Sequence, residues 1–133
     1  MKINSEQEML DFGEKFANMG INVIELVGDV GAGKTTFTRG LAKGLGVTEP
    51  VTSPSFTISK SYACKNGKIL THYDFYRLND PGIMSEDLSE NLNSKNHIVV
   101  IEWGESISDL LPQNHTTITI NLNDDNTREV TIK

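Results

Sequence analysis

Apolar residues recur along this chain in two periods, and the switches between them divide it into elements. Met9, Phe12, Phe16 and Met19 fall at intervals of three and four, the spacing of one helix face. Ser5 precedes this run with Glu8 three residues on, a capping box, and Gly20 marks the stop. Residues 21–27 form a nearly unbroken apolar run, as expected of a strand buried on both faces of a parallel sheet. Phe37, Leu41 and Leu45 return to helical spacing, Gly40 and Gly44 permit close packing there, and Gly46 ends the helix.

Pro50 and Pro54 stiffen a non-helical connection through Val51-Thr52-Ser53-Pro54-Ser55. Period-two alternation follows, with Phe56, Ile58 and Tyr62 set against Thr57, Ser59 and Ser61. Asn66-Gly67 supplies a tight turn, and residues 69–75 return as the partner strand. Residues 79–92 are polar and helical in part, and 97–101 are a second continuous apolar strand that runs into Glu102-Trp103. Leu110-Leu111-Pro112 closes a short turn or helix. Ile118, Ile120 and Leu122 alternate with polar residues, and after a turn at 123–126 Val130 and Ile132 end a last strand, so the tail predicts an antiparallel hairpin. Together these elements predict an α/β fold: one domain over residues 1–133, with a mixed sheet, flanking helices and antiparallel hairpins. Ligands of such sheets sit beyond the carboxyl ends of the parallel strands.

The chemistry lies at those ends. Gly28-Asp29-Val30-Gly31-Ala32-Gly33-Lys34-Thr35 is a complete P-loop, placed between a strand and a helix as the motif requires. Its backbone N–H groups curl around phosphate oxygens, Lys34 reaches the outer phosphates, and the Thr35 hydroxyl suits Mg²⁺. The helix N-terminus behind it adds unpaired N–H groups and a positive dipole end. Such a loop calls for a carboxylate from a neighbouring strand end. Asp74 and Glu102 both qualify: Asp74 as a direct or water-mediated Mg²⁺ ligand, Glu102 as the residue that orients an attacking water or completes the metal shell. Thr52 and Ser53 read either as a switch-like segment that senses the γ-phosphate or as a proline-stiffened surface loop. Trp103 reads either as a wall of the nucleotide pocket or as packing. His72, His97 and His115 show no ligand spacing, and His72 at most supports the site from behind.

Composition narrows the reading. The net charge is −6, a poor basis for autonomous DNA or RNA binding, and Lys60, Lys65 and Lys68 form only a small basic cluster. No apolar run approaches the ~20 residues of a membrane span, and the N-terminus lacks the order of a signal peptide. A single cysteine, Cys64, fits a reducing, cytoplasmic setting. No Asn-Lys-x-Asp motif reads guanine, so ATP is the expected nucleotide. Arginine is scarce. Arg39 belongs to the P-loop helix and Arg128 to the last hairpin, which leaves Arg77, just after Asp74, as the well-placed one. P-loop hydrolases without a set arginine turn over at roughly 10⁻⁴ to 10⁻² per second. An accessory ATPase, a small-molecule kinase and a nucleotide-gated binding module all remain open on these residues.

Four motifs in order, the P-loop through Thr36, Thr52-Ser53-Pro54-Ser55-Phe56, His72-Tyr73-Asp74-Phe75-Tyr76-Arg77-Leu78 and Glu102-Trp103-Gly104-Glu105, resemble those of the TsaE family. The family consists of small ATPases of bacterial tRNA threonylcarbamoyladenosine biosynthesis. The resemblance runs from the first helix to Glu105. It implies a cytoplasmic protein that binds ATP and Mg²⁺, hydrolyses ATP weakly, and joins TsaB and TsaD in modifying adenosine 37 of tRNA, touching the tRNA only indirectly. By position, Gly31, Ala32, Gly33, Lys34, Thr35 and Thr36 would hold phosphates. Thr35 and Glu102 would stand at Mg²⁺, with Asp74 in the Walker B role. Trp103 would lie near the nucleotide, and Glu6 would border the adenine. The chain departs from the pattern at Ser55, where the family commonly has threonine, and within 82–92, which lacks the family's usual glycine.

Overall fold

Helix α1 (Glu6–Phe16) begins where the capping pattern places it, with Ser5 Oγ accepting from the Glu8 amide at 3.1 Å. The structure, a computed structural model, describes residues 1–54, 58–76 and 82–133. The Glu8 carboxylate reaches back one residue further than a capping box requires, to the Asn4 amide at 2.9 Å. Met9, Phe12 and Phe16 are buried, but Met19 is 57% exposed. The chain leaves α1 through bonds between residues three apart, so the helical period outlasts the helix by a turn and Gly20 lies beyond the stop.

Helix α2 (Lys34–Gly44) lies against α1, and small residues set their distance. A Cβ on Gly40 would fall 2.1 Å from the Leu10 carbonyl, one on Gly13 would fall 2.2 Å from that of Phe37, and one on Gly44 would fall 2.6 Å from the Ala17 methyl. Backbone thus touches backbone from both sides. Beside this contact the Phe12, Phe16 and Phe37 rings meet at centroid separations of 5.1–5.6 Å, edge-on or tilted.

Seven strands form one sheet: β1 (Lys2–Ile3), β2 (Val23–Val27), β3 (Ser59–Ala63), β4 (Ile69–Asp74), β5 (His97–Glu102), β6 (Thr116–Leu122) and β7 (Arg128–Ile132). Their order is β1-β7-β6-β2-β5-β4-β3. The apolar runs β2 and β5 pair in parallel at the centre, as their burial on both faces demands. β4 continues the parallel set beside β5, and β3 pairs antiparallel with β4. The turn at Asn66-Gly67 has both residues at positive φ, but a longer loop carries it: residues 64–68 include a short 3₁₀ turn, closed by the Cys64 amide on the Lys68 carbonyl. The expected beginning of that hairpin at Phe56 and Thr57, and Ser55 before it, lie outside the described residues, as do Arg77 and residues 78–81.

The tail hairpin is not a separate flap. β6 pairs in parallel with β2, which makes β6–β7 an extension of the central sheet. β1, too short to be seen in the pattern, pairs with β7 and ties the N-terminus to that edge. Ile118 and Ile120 are fully buried, whereas Leu122, at the end of β6, is 55% exposed.

Two cores result. One lies between the sheet and the α1–α2 pair, and the other lies under α3 (Ile83–Leu92) with Leu88, Tyr73, Val99 and Ile101. The Tyr73 hydroxyl pins α3 to β4, donating to Asp87 at 2.5 Å and accepting from Asn91 at 2.6 Å. Burial, and then the bond to Asp87, push this phenol well above its ordinary range. Among the described residues no helix is long and apolar enough to cross a membrane.

Two outcomes are expected from this packing. Gly40→Ala should cost about 3 kcal/mol in urea unfolding, because backbone on the facing helix cannot give way as a side chain could. For Tyr73 the folded pKa is raised, so its contribution is complete below the unfolded value of about 10 and is lost as the pH rises above it. Stability of Tyr73→Phe should therefore decline less steeply above that pH than wild type.

Candidate functional site

β2 ends at Val27 and the chain must turn back at once into α2, so the loop between them is short and sharply curved. Gly31 and Gly33 take φ of +85° and +117°, which L side chains rarely adopt. Gly33 caps α2 without a side-chain acceptor, which leaves the first-turn N–H groups directed toward the loop. The loop is tight enough that the Ala32 amide bonds back to the Asp29 carbonyl at 3.0 Å.

Across the sheet, the parallel register of β4 and β5 sets Asp74 directly opposite Glu102. Both are nearly buried, at 8% and 4% exposure. Like charges as cross-strand neighbours repel, and a cation between sheet and loop offsets that. Lys34 supplies it: its ammonium lies 3.6 Å from Glu102 Oε1 and donates to the Gly28 carbonyl at 2.5 Å. It also sits 4.3 Å from the Trp103 ring centroid, within cation–π range. Trp103 can cover Lys34 because it takes a left-handed backbone conformation immediately after β5, turning the chain over the site. Asp74 Oδ1 accepts from the Tyr76 amide at 2.9 Å, and Glu102 Oε2 is hydrogen-bonded to His72 Nε2.

These residues line one recess of about 230 Å³, with Gly31, Gly33, Thr35 and Thr36 on the loop side, Asp74, Glu102 and Trp103 on the sheet side, and Ser53 at the rim. A second recess of about 240 Å³ shares Gly31, Gly33 and Thr36 and continues past the loop to Glu6, Ile3, Asn126 and Arg128. Of the residues expected from sequence, Lys34, Thr35, Thr36, Asp74, Glu102 and Trp103 share the first recess, and Glu6 lies in the second. Ala32 lines neither and is buried beneath the loop. Of the two switch candidates, Ser53 faces the recess. Thr52 is engaged elsewhere, its hydroxyl by Lys60 and its backbone by the Tyr62 hydroxyl. His115 pairs with Glu25 at 3.4 Å, apart from both recesses.

Arg77 lies outside the described residues, and Arg128 is found at the loop, on its carbonyl side and not among the residues that line the first recess. Because β6 joins β2, the hairpin brings Arg128 over the loop, where Nε donates to the Ala32 carbonyl at 3.1 Å and Nη2 to that of Gly31 at 3.4 Å. Nothing in the local pattern signals this contact across 96 residues; an arginine in a hairpin strand is the only hint.

The donors suit a small hard cation. A hydroxyl, Thr35, and two carboxylates, Asp74 and Glu102, offer oxygen alone, the preference of Mg²⁺. Among the described residues no three His, Cys, Asp or Glu side chains cluster as a self-sufficient metal site. An ion here would complete its shell with water and ligand oxygens, as Mg²⁺ does at phosphates.

The model of the family described as "Threonylcarbamoyl adenosine biosynthesis protein TsaE" matches residues 3–130. The chain belongs to the TsaE family. The "tRNA threonylcarbamoyladenosine biosynthesis protein TsaE" of Bacillus subtilis is 45% identical over 120 residues, covering 87% of this chain and 71% of that protein. The protein of the same name from Haemophilus influenzae is 36% identical over 130 residues, with 92% and 82% covered. Among solved structures, the crystal structure of Bacillus subtilis YdiB superposes with a TM-score of 0.76 at 33% identity, covering 99% of this chain and 82% of that one. The TsaE match extends past Glu105 into β7, as far as residue 130, so it takes in Arg128.

Arg128→Ala should free the Gly31 and Ala32 carbonyls. Amide exchange across residues 29–33 is expected to rise about tenfold, with protection in β2 and α2 unchanged, as read by hydrogen–deuterium exchange.

Proposed function

We propose that the protein is a magnesium-dependent ATPase of slow basal turnover. It serves threonylcarbamoyladenosine modification at position 37 of tRNA in the cytoplasm, in concert with TsaB and TsaD. The observation that carries this reading is the convergence of Lys34, Thr35, Asp74 and Glu102 on one recess at the carboxyl ends of the parallel strands, in a chain whose relatives bear the name of that pathway.

Phosphates would lie along the loop, against the N–H groups of residues 31–36 and the amino end of α2. Lys34 lines the recess beside Glu102, so phosphate oxygens there would compete with that carboxylate for its ammonium. Thr35, Asp74 and Glu102 would hold Mg²⁺, which when bound neutralises phosphate charge. Glu102 would orient water at the outer phosphate, and Trp103 would shield that end from solvent. The base would occupy the second recess beside Glu6, with Arg128 bracing the loop between the two.

The slow rate is inferred from the scarcity of arginine in the chain, in which Arg77 lies outside the described residues. Among the described residues no arginine lines the recess: Arg39 donates to the Val51 carbonyl and Arg128 to the loop carbonyls. Small-molecule kinases bring several arginines to the transferring group. This composition suits an ATPase whose turnover changes when a partner docks.

Basal ATP turnover of the isolated chain is expected at roughly 10⁻⁴ to 10⁻² per second, and Glu102→Gln should lower it at least about a hundredfold while ATP still binds. In host cells depleted of the protein, threonylcarbamoyladenosine should vanish from bulk tRNA and be restored by wild type but not by Lys34→Ala or Glu102→Gln. Full restoration by either variant, or fast turnover by the isolated chain, would defeat the proposal.

A further inference from the structure

We propose that His72 is a positioning residue for Glu102: it holds Oε2 so that Oε1 is the oxygen presented to the recess. The inference rests on the magnesium–nucleotide reading given above and adds to it how the carboxylate is aimed.

Side chains on β4 and β5 alternate between the two cores. Leu70, His72 and Asp74 share the α2 face of β4, and Ile98, Val100 and Glu102 share that face of β5. The register pairs His72 with Val100 and Asp74 with Glu102, so His72 stands diagonally behind Glu102. Diagonal neighbours lie about 7–8 Å apart, a gap only long side chains close. The imidazole and the glutamate close it together, through Nε2 and Oε2.

His72 is fully buried, so its ring cannot exchange this bond for one to water. A carboxylate only accepts, which assigns the hydrogen to Nε2. The other ring nitrogen, Nδ1, has no hydrogen-bond partner among the described residues. Among the described residues Glu102 is therefore the sole polar anchor of the ring. The neighbouring positions on this face are Leu70 and Val100, and an apolar side chain at 72 would continue the core without the penalty of burying a half-satisfied polar group. What the imidazole adds is direction. A glutamate has three rotatable torsions, each with several wells, and a bond to one oxygen selects among them. With Oε2 held from behind, Oε1 is left facing Lys34 at 3.6 Å, on the recess side. Groups held from behind in this manner tune how a site takes its metal.

Three variants separate aiming from packing. His72→Phe keeps an aromatic ring, somewhat larger, and removes the donor. His72→Asn supplies an amide donor but ends near Nδ1, short of Glu102. His72→Gln carries its amide nitrogen to the reach of Nε2. Calorimetric titration of the full chain with a nonhydrolysable ATP analogue, once with Mg²⁺ and once with EDTA, yields the gain in affinity due to the metal. In the Phe and Asn variants binding in EDTA should stay within about twofold of wild type while the Mg²⁺ gain falls about tenfold or more, and in Gln the gain should return to within about threefold. If the Phe variant fails to fold, as judged by circular dichroism, the contrast between Asn and Gln carries the same comparison. An Mg²⁺ gain unchanged in Phe or Asn, or lost equally in Gln, overturns the role of His72 alone. A wild-type chain with no Mg²⁺ gain overturns the metal reading itself, and this inference with it.

Discussion

The pairing of β4 with β5 in one particular parallel register is the constraint on which the site depends. It sets Asp74 against Glu102 at the carboxyl edge of the sheet, two acids side by side and nearly out of water. A slip of one residue would turn one of them into the opposite core, under α3. The juxtaposition is unfavourable in itself, and its surroundings read as responses to it. Lys34 places a cation beside Glu102, the Tyr76 amide holds one oxygen of Asp74, and His72 engages Glu102 from within. A buried carboxylate pair on parallel strands is sustained only by positive charge and hydrogen bonds of this kind.

The facing wall, the glycine-rich loop, is held with comparable care. It is short, its curvature depends on positive φ at Gly31 and Gly33, and it is fastened from two directions. Behind it, α2 is pressed onto α1 until backbone meets backbone at Gly13 and Gly40, so the helix whose amino end faces the recess has little freedom to recede. Above it, Arg128 takes two of its carbonyls. Those carbonyls would otherwise compete with the loop's N–H groups for orientation, and an arginine on them keeps the N–H side open to an anion. The edge strands gain a purpose from this arrangement: β1 braces β7, and β7 carries the arginine.

Trp103 joins these two walls. Its left-handed backbone ends β5 abruptly and lays the indole over Lys34 and against the Tyr76 ring, whose centroid is 4.6 Å away. The lysine is thereby held between carboxylate, carbonyl and aromatic face, positioned yet not committed to a single partner. In the proposed function such a group would release one anion to take another.

Much of this was legible in the chain. The capping signal before α1, the unbroken apolar runs of β2 and β5, the P-loop between strand and helix, and acids at two strand ends are local patterns. Each depends on neighbours within a few residues, and each located a piece of the site: Lys34, Thr35, Asp74 and Glu102. The misreadings were of another kind. Met19 continued a helical period past the end of the helix, and β1 was too short to leave a pattern. Arg128 was set aside because an arginine in a terminal hairpin carries no sign of where the hairpin docks; only the parallel pairing of β6 with β2 brings it to a loop 96 residues away. For His72 likewise, the identity of the partner depended on the register of β4 against β5. Local patterning therefore determined which elements form and which chemical groups the site contains. Which groups touch was decided by strand order and register, because these follow from burying both faces of the sheet at once, a requirement no short stretch of sequence can express.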